Sequence, residues 1–487
     1  MKTITIKKKH LLLVLSIICF FLILIPGIPY FIGFAMFFLS FIGLSLYKPL
    51  YGLYLIFFSL SFNGLIRWKM FDSFILAGFS TILVFIFILC QFILLLVNKE
   101  YRINVHFKNF IFSKSSLGFY LFVIISIFFA LLTINVPLSS EKLIEMIMKY
   151  REYIIPILFI PFSISFIKKS TFPRIIEFYV YGAVIIALIN IIHLLFGLPI
   201  GIPRFVLHFS SQLPEIRSMF GIYLPRMNHI LGLSTQGAGA TFYTIAGIAG
   251  IYLEKNKCSI TNKLIWNLII VVLFIASLLT VSFSMLLTIF FVFLFFKLIN
   301  AKKKISLHKL LLGLPILVFF IYFLLFSEII SIDRKQNFFE YGIMTFFKKL
   351  TLLEDFNFAQ IIFGIGVGLK SGMALGVANL PGSDMSNYIF DHWIFVVFYQ
   401  LGFIGFFLQL LIYFFCFFII KRNIHIGRDI ENQRLLIVII FGSLGFLHGS
   451  VLIERLFSPL FLLAISYLVK VNSRSSFINP LSESKNK

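Results

Sequence analysis

The stretch WIFVVFYQLGFIGFFLQLLIYFFCFFII, residues 393–420, carries no charged side chain along its length and ends on Lys421-Arg422. A helix needs only about 20 such residues to cross the hydrocarbon layer of a bilayer, and basic residues collect on the cytoplasmic side of a span. The same signature recurs through the chain. Of the 487 residues, 60% are hydrophobic, and the mean hydropathy of +1.02 lies far above that of a soluble globular domain. The sequence therefore predicts an integral membrane protein whose main solvent is lipid. The 66 phenylalanines partly reflect a biased composition, and they identify no binding site by themselves.

Apolar runs long enough to span, with shorter ones admitted, fall at 11–26, 29–47, 50–66, 74–97, 117–134, 153–167, 175–196, 238–253, 264–281, 285–299, 310–326, 393–420, 435–453 and 456–471. The predicted fold is all-α: one polytopic bundle of about 14 transmembrane helices occupying residues 1–487. Met1 to His10 holds four lysines ahead of the first run. It lacks a small-residue cleavage site, and Ile17 and Ile18 before Cys19 are too large for a lipoprotein box, so an uncleaved first span is expected.

The formal charge of +23 would point to nucleic acid in a soluble protein. With both termini in the cytoplasm, the inner segments hold 28 of the 42 basic and 6 of the 19 acidic residues, a net of 28 − 6 = +22. The outer segments keep 14 basic and 13 acidic residues, a net of +1. The charge is thus a topology signal, and no basic helix argues for nucleic acid. Cys19, Cys90, Cys258 and Cys416 form neither a disulfide framework nor a metal-ligand spacing, and no metal or cofactor is expected.

Two outer loops are large, 197–237 and 329–391. The first carries Arg204, Arg217 and Arg226 against the single acid Glu215. Guanidinium groups bind phosphate or carboxylate through two parallel hydrogen bonds, so an anionic ligand at the outer leaflet is one reading. Snorkelling to headgroups is the plainer one. The second loop begins with Asp333-Arg334-Lys335 and includes 337–350, whose Phe338, Phe339, Ile343, Phe346 and Phe347 describe an interfacial amphipathic helix. It then passes through Phe363-Gly364-Ile365-Gly366-Val367-Gly368, read as a tight turn rather than a nucleotide motif. Asp391 and His392 close it where the chain re-enters lipid. A partly desolvated carboxylate or imidazole there suits removal of a proton from a hydroxyl, while an interfacial anchor beside Trp393 is the alternative. Asn190, His193, Gln400, His448, Glu454 and Arg455 are further polar groups in or near spans, and Glu177 is the only acid expected inside one.

The order Arg334, Phe363 to Gly368, Asp391-His392 and then Gln400-Leu401-Gly402-Phe403-Ile404-Gly405 resembles the O-antigen polymerase and O-antigen ligase superfamily. Helix number and the two large outer loops resemble it over most of the chain; the residue motifs cover only the second loop and the helix after it. Where that family often has Ser-Arg, this chain has Thr280-Val281-Ser282-Phe283-Ser284. Asp391 in place of His is closer to the polymerase branch than to the ligases.

The resemblance implies a metal-independent glycosyltransferase of the C-type membrane class at the outer face of the bacterial cytoplasmic (inner) membrane. It would join glycan repeat units carried on undecaprenyl diphosphate, alongside a separate flippase and a chain-length regulator. In that scheme Asp391, with His392 as alternate, is the base; Arg217, Arg226 and Arg334 hold the diphosphate, with Arg204 and Arg455 as lesser candidates. A ligase that moves finished glycan to another acceptor shares every one of these features. A lipid-linked oligosaccharide flippase would instead show short loops and charged groups facing a central cavity.

Overall fold

The computed structural model describes residues 8–23, 30–62, 66, 79–97, 125, 159, 162–164, 166–198, 204, 214, 216–219, 222–225, 227, 236–255, 263–282, 284–301, 358–364, 393–445 and 458–473. Over these residues the chain is helical except for one short hairpin. The helices are α1 (Lys8–Leu22), α2 (Tyr30–Tyr47), α3 (Pro49–Ser59, continued by a 3₁₀ turn Leu60–Phe62), α4 (Phe79–Val97), α5 (Phe172–Phe196), α6 (Gln236–Lys255), α7 (Lys263–Leu279), α8 (Ser284–Asn300), α9 (Phe358–Phe363), α10 (Trp393–His425), α11 (Ile430–Gly442, continued by a 3₁₀ turn Ser443–Gly445) and α12 (Ser458–Ser473).

Two of these, Phe172–Phe196 and the Leu401–His425 part of α10, are long and apolar enough to cross a membrane. Seven more are apolar but shorter, at 10–17 residues. Eleven of the fourteen apolar runs coincide with described helices; 117–134, 153–167 and 310–326 lie wholly or largely outside the described residues.

The boundaries of α5 follow from its sequence. Pro173 sits in its first turn, where a missing N–H costs no hydrogen bond. Gly197, at φ 69°, ends it in the left-handed conformation that a side chain would resist. Most of α5 is buried, and it joins two groups of helices.

On one side α1 packs on α2, α2 on α3 and α4, and α3 on α5. Close backbone approach and ring geometry hold this group together. Gly182 of α5 lies so near α3 that an added Cβ would stand 2.2 Å from the Phe58 carbonyl oxygen. Phe20 and Phe62 meet edge-on with centroids 4.9 Å apart, a geometry that contributes about 0.5–1.5 kcal/mol per pair beyond simple contact.

On the other side α6 packs on α5, α7, α8 and α11, while α10, α11 and α12 close the group. Phe295 of α8 stacks on Phe441 of α11 at 3.8 Å. On α10, Phe403, Phe407, Phe414 and Phe418 are exposed at spacings of 4, 7 and 4, one face of a helix turned away from the bundle.

The sequence reading is corrected in three places. The run 393–420 does not form one continuous helix: Gly402 adopts φ 62°, ψ −166°, a conformation open to glycine alone, and breaks α10 there. The run 435–453 leaves α-helical geometry after Gly442, because Gly442 and Gly445 let the chain settle onto Val292 and Thr288 of α8. The loop 197–237 contains an antiparallel hairpin, β1 (Ile216–Met219) with β2 (Ile222–Pro225), in register Ile216↔Pro225 to Met219↔Ile222. Four-residue strands this short give little signal beside spans five times their length.

Candidate functional site

The end of the bundle expected to face outward is built by three attachments. At the first, α5 closes: the His193 carbonyl accepts the Gly197 N–H at 2.8 Å, and His193 Nδ1 accepts the Leu198 N–H at 2.9 Å. His193 is 2% exposed, and accepting at Nδ1 leaves Nε2 as the protonated nitrogen of the neutral ring. It terminates the helix. Arg204 returns to the same place, donating from Nη2 to the Phe196 carbonyl at 3.0 Å. Its guanidinium thus caps α5.

At the second, the hairpin is pinned to α7. The Met227 N–H donates to the Leu279 carbonyl at 3.1 Å, and Met227 is fully buried. Arg217 lies on β1 opposite Leu224. Arg226 falls outside the described residues, although its sequence neighbour Met227 is fixed at the α7 end. Beneath the hairpin the chain turns through Thr280-Val281-Ser282, with Val281 at φ 45°. This is where the resemblance lacks its Ser-Arg pair, and the residues present supply hydroxyls instead.

Those hydroxyls belong to a buried polar layer between α6, α7 and α8. Thr244 Oγ1 donates to the Ala240 carbonyl at 2.7 Å and lies 2.8 Å from Ser277 Oγ. Thr288 Oγ1 donates to the Ser284 carbonyl at 2.7 Å, and Thr280 Oγ1 to the Ser277 carbonyl at 2.6 Å. Asn190 of α5 is hydrogen-bonded to Tyr243 of α6. Hydroxyls that return to their own helix carbonyls let small polar residues line helix contacts at low cost. No carboxylate takes part in these contacts, so the layer packs helices and offers no base.

At the third attachment, the motifs of the second loop meet the helix that follows it. Gly402 lies against the end of α9: an added Cβ would stand 2.3 Å from the Ile362 carbonyl oxygen and 2.5 Å from the Gly364 nitrogen. Gly364 itself has φ 79°. Phe363-Gly364 and Gly402, 38 residues apart, are therefore a single junction. It fixes where the Trp393–Leu401 segment starts from, directly after Asp391-His392 in the sequence. Asp391, His392, Arg334 and Arg455 lie outside the described residues, as do His448, Glu454 and 337–350.

The opposite end of the bundle holds a carboxylate that the sequence reading passed over. Asp429, in the turn between α10 and α11, has a side chain only 7% exposed. It accepts from the Tyr467 hydroxyl of α12 and from Asn432 Nδ2 at 3.0 Å, and pairs with Lys169 Nζ at 3.4 Å. Asp429 has φ 48°, ψ 47°, a left-handed geometry that Asp tolerates better than most residues. One side chain thus ties the turn before α5 to α11 and α12. The spacing Asp429 to Asn432, at the start of an apolar run, was a helix-start signal that could have exposed it. Glu177 is 1% exposed and accepts from the Tyr181 hydroxyl at 2.7 Å.

Compared with known proteins, the chain matches no family model, no curated protein and no solved structure.

Proposed function

We propose that this chain is a polytopic glycosyltransferase of the cytoplasmic membrane that polymerises surface polysaccharide, either O-antigen or capsule. The donor is a glycan on undecaprenyl diphosphate and the acceptor is a second lipid-linked repeat unit, supplied by a flippase and measured by a chain-length regulator. The observation that supports this reading is where the described parts of the two long loops attach. The first is anchored through Met227 on Leu279, the second through Gly364 on Gly402, at the bundle end away from the basic corner around Lys169, Arg422 and Arg428. Loops that carry Arg217, Arg226 and Arg334 in the sequence and attach at that end suit a reaction on lipid-linked diphosphates outside the cell.

The chemistry needs a base and cations. Asp391, with His392 as alternate, takes the proton of the acceptor hydroxyl as its oxygen bonds to the anomeric carbon. The bond from that carbon to the diphosphate oxygen breaks, and Arg217, Arg226 and Arg334 stabilise the departing undecaprenyl diphosphate. The segment Trp393–Leu401, set by the break at Gly402, positions the base.

Purified protein incubated with purified lipid-linked repeat units gives a ladder of polymers under this reading, and Asp391→Asn gives none. Turnover retained in Asp391→Asn removes that residue as base. Transfer only to a different acceptor, without a ladder, would show a ligase.

A further inference from the structure

We propose that the turn joining α10 and α11 is a binding site for the headgroup of an anionic phospholipid. The site is formed by Arg422 and Arg428, with Ile426 between them. Arg422 donates to the Asn472 side-chain oxygen and Arg428 to the Val471 carbonyl at 3.2 Å, both neutral acceptors at the end of α12. Among the described residues neither arginine forms an ion pair, so two guanidinium groups are held in place with their charge uncompensated. A guanidinium has five donors, and each hydrogen bond described here uses one.

The local acids do not cancel this charge. Asp429 is buried and engaged by Tyr467, Asn432 and Lys169, while Glu431 stands exposed on the first turn of α11. Lys168 and Lys169 are also exposed on this side, and Lys421 lies over the Phe417 ring at 5.8 Å.

The apolar residues decide between a lipid and free phosphate. Ile426 is 60% exposed in the turn itself, four residues after Arg422 and two before Arg428, and Ile430 is exposed just beyond. An isoleucine flanked by fixed cations suits the boundary between headgroups and acyl chains, where basic residues meet phosphate and apolar ones meet lipid. The site needs only that the chain sits in a membrane; it holds whether or not the chain is a polymerase.

The test uses the full chain, delipidated in detergent and titrated with phosphatidylglycerol or phosphatidylcholine, with bound lipid read by native mass spectrometry. Phosphatidylglycerol is retained over phosphatidylcholine, and Arg422→Gln with Arg428→Gln weakens it about fivefold per charge removed. Lys255→Gln with Lys263→Gln, at the α6–α7 turn, removes the same charge and leaves the preference unchanged. Equal loss in both double variants, no preference between the lipids, or inorganic phosphate competing as well as the lipid would each overturn the proposal. Should the double arginine variant fail to fold, Arg422→Gln alone is read in its place: a fivefold loss supports the site, and wild-type binding rejects it.

Discussion

Gly402 and Gly364 face each other across a contact too close for any side chain: a Cβ on Gly402 would stand 2.5 Å from the Gly364 nitrogen and 2.3 Å from the Ile362 carbonyl oxygen. Both glycines have positive φ, 62° and 79°. Two parts of the chain that read separately as a loop turn and a helix motif are one backbone junction.

Gly402→Ala should therefore be costly on two counts, the φ it must adopt and the space it must find. Strain of this kind costs about 1–3 kcal/mol per residue. The variant is expected to melt earlier in detergent and to lose polymerisation more than it loses stability, because the Trp393–Leu401 segment leaves its position. Wild-type turnover in a folded Gly402→Ala protein would show that the junction does not position the base.

Under the proposed function the arginines are expected to separate by role. Arg204 donates to the Phe196 carbonyl as a cap on α5, so Arg204→Ala should leave the glycan ladder at wild-type length. Arg226→Ala and Arg334→Ala should shorten or abolish it. Surface glycan on a gel, with membrane insertion checked by blot, reads all three.

Asp429 should behave as a structural carboxylate. Removing it takes one buried acceptor from the Tyr467 hydroxyl and from Asn432 Nδ2, at about 1–3 kcal/mol for such a loss. Asp429→Ala and Tyr467→Phe share one hydrogen bond, so their double variant should be less destabilised than the sum of the singles, read by thermal unfolding. Strict additivity would show that the contact contributes nothing.

Asn423 lies near the end of α10 and Gln433 near the start of α11. Both are fully buried, and among the described residues neither amide nitrogen nor oxygen meets a hydrogen-bond partner. Replacing such groups by apolar ones of similar shape is close to neutral or stabilising. Asn423→Leu and Gln433→Met are thus expected to hold or raise the melting temperature. A fall of several degrees in either would mean that the amides are engaged.

Gly182→Leu is expected to separate α3 from α5. Its Cβ would fall 2.2 Å from the Phe58 carbonyl, and overpacking of this order costs about 1–3 kcal/mol. Cysteines placed on the facing helices would cross-link more slowly if the approach is lost.

Helix positions were legible in the sequence because runs such as 175–196 and 264–281 are apolar over whole spans, and lipid or a buried core tolerates nothing else at that length. Glu177 was legible as a lone acid in such a run for the same reason. Gly364 and Gly402 were visible as motif glycines, and the arginines of the first loop as departures from the charge bias. Composition carried these signals because each depends on a residue and its neighbours along the chain.

What joins distant segments was decided only in three dimensions. No periodicity shows that Gly402 will break its helix, since Leu401 and Phe403 on either side are as apolar as the rest. At the break the end of α9 lies against Gly402, too close to admit a side chain there. Asp429 looks like a loop acid until Tyr467, 38 residues on, and Lys169, 260 residues back, are seen to converge on it. By itself the sequence determined where most of the described helices lie, because an apolar run depends on local composition against the surrounding solvent. The tertiary structure decided which helices touch, where α10 breaks and which polar groups are already engaged, because those depend on the distance between backbones that sequence order does not encode.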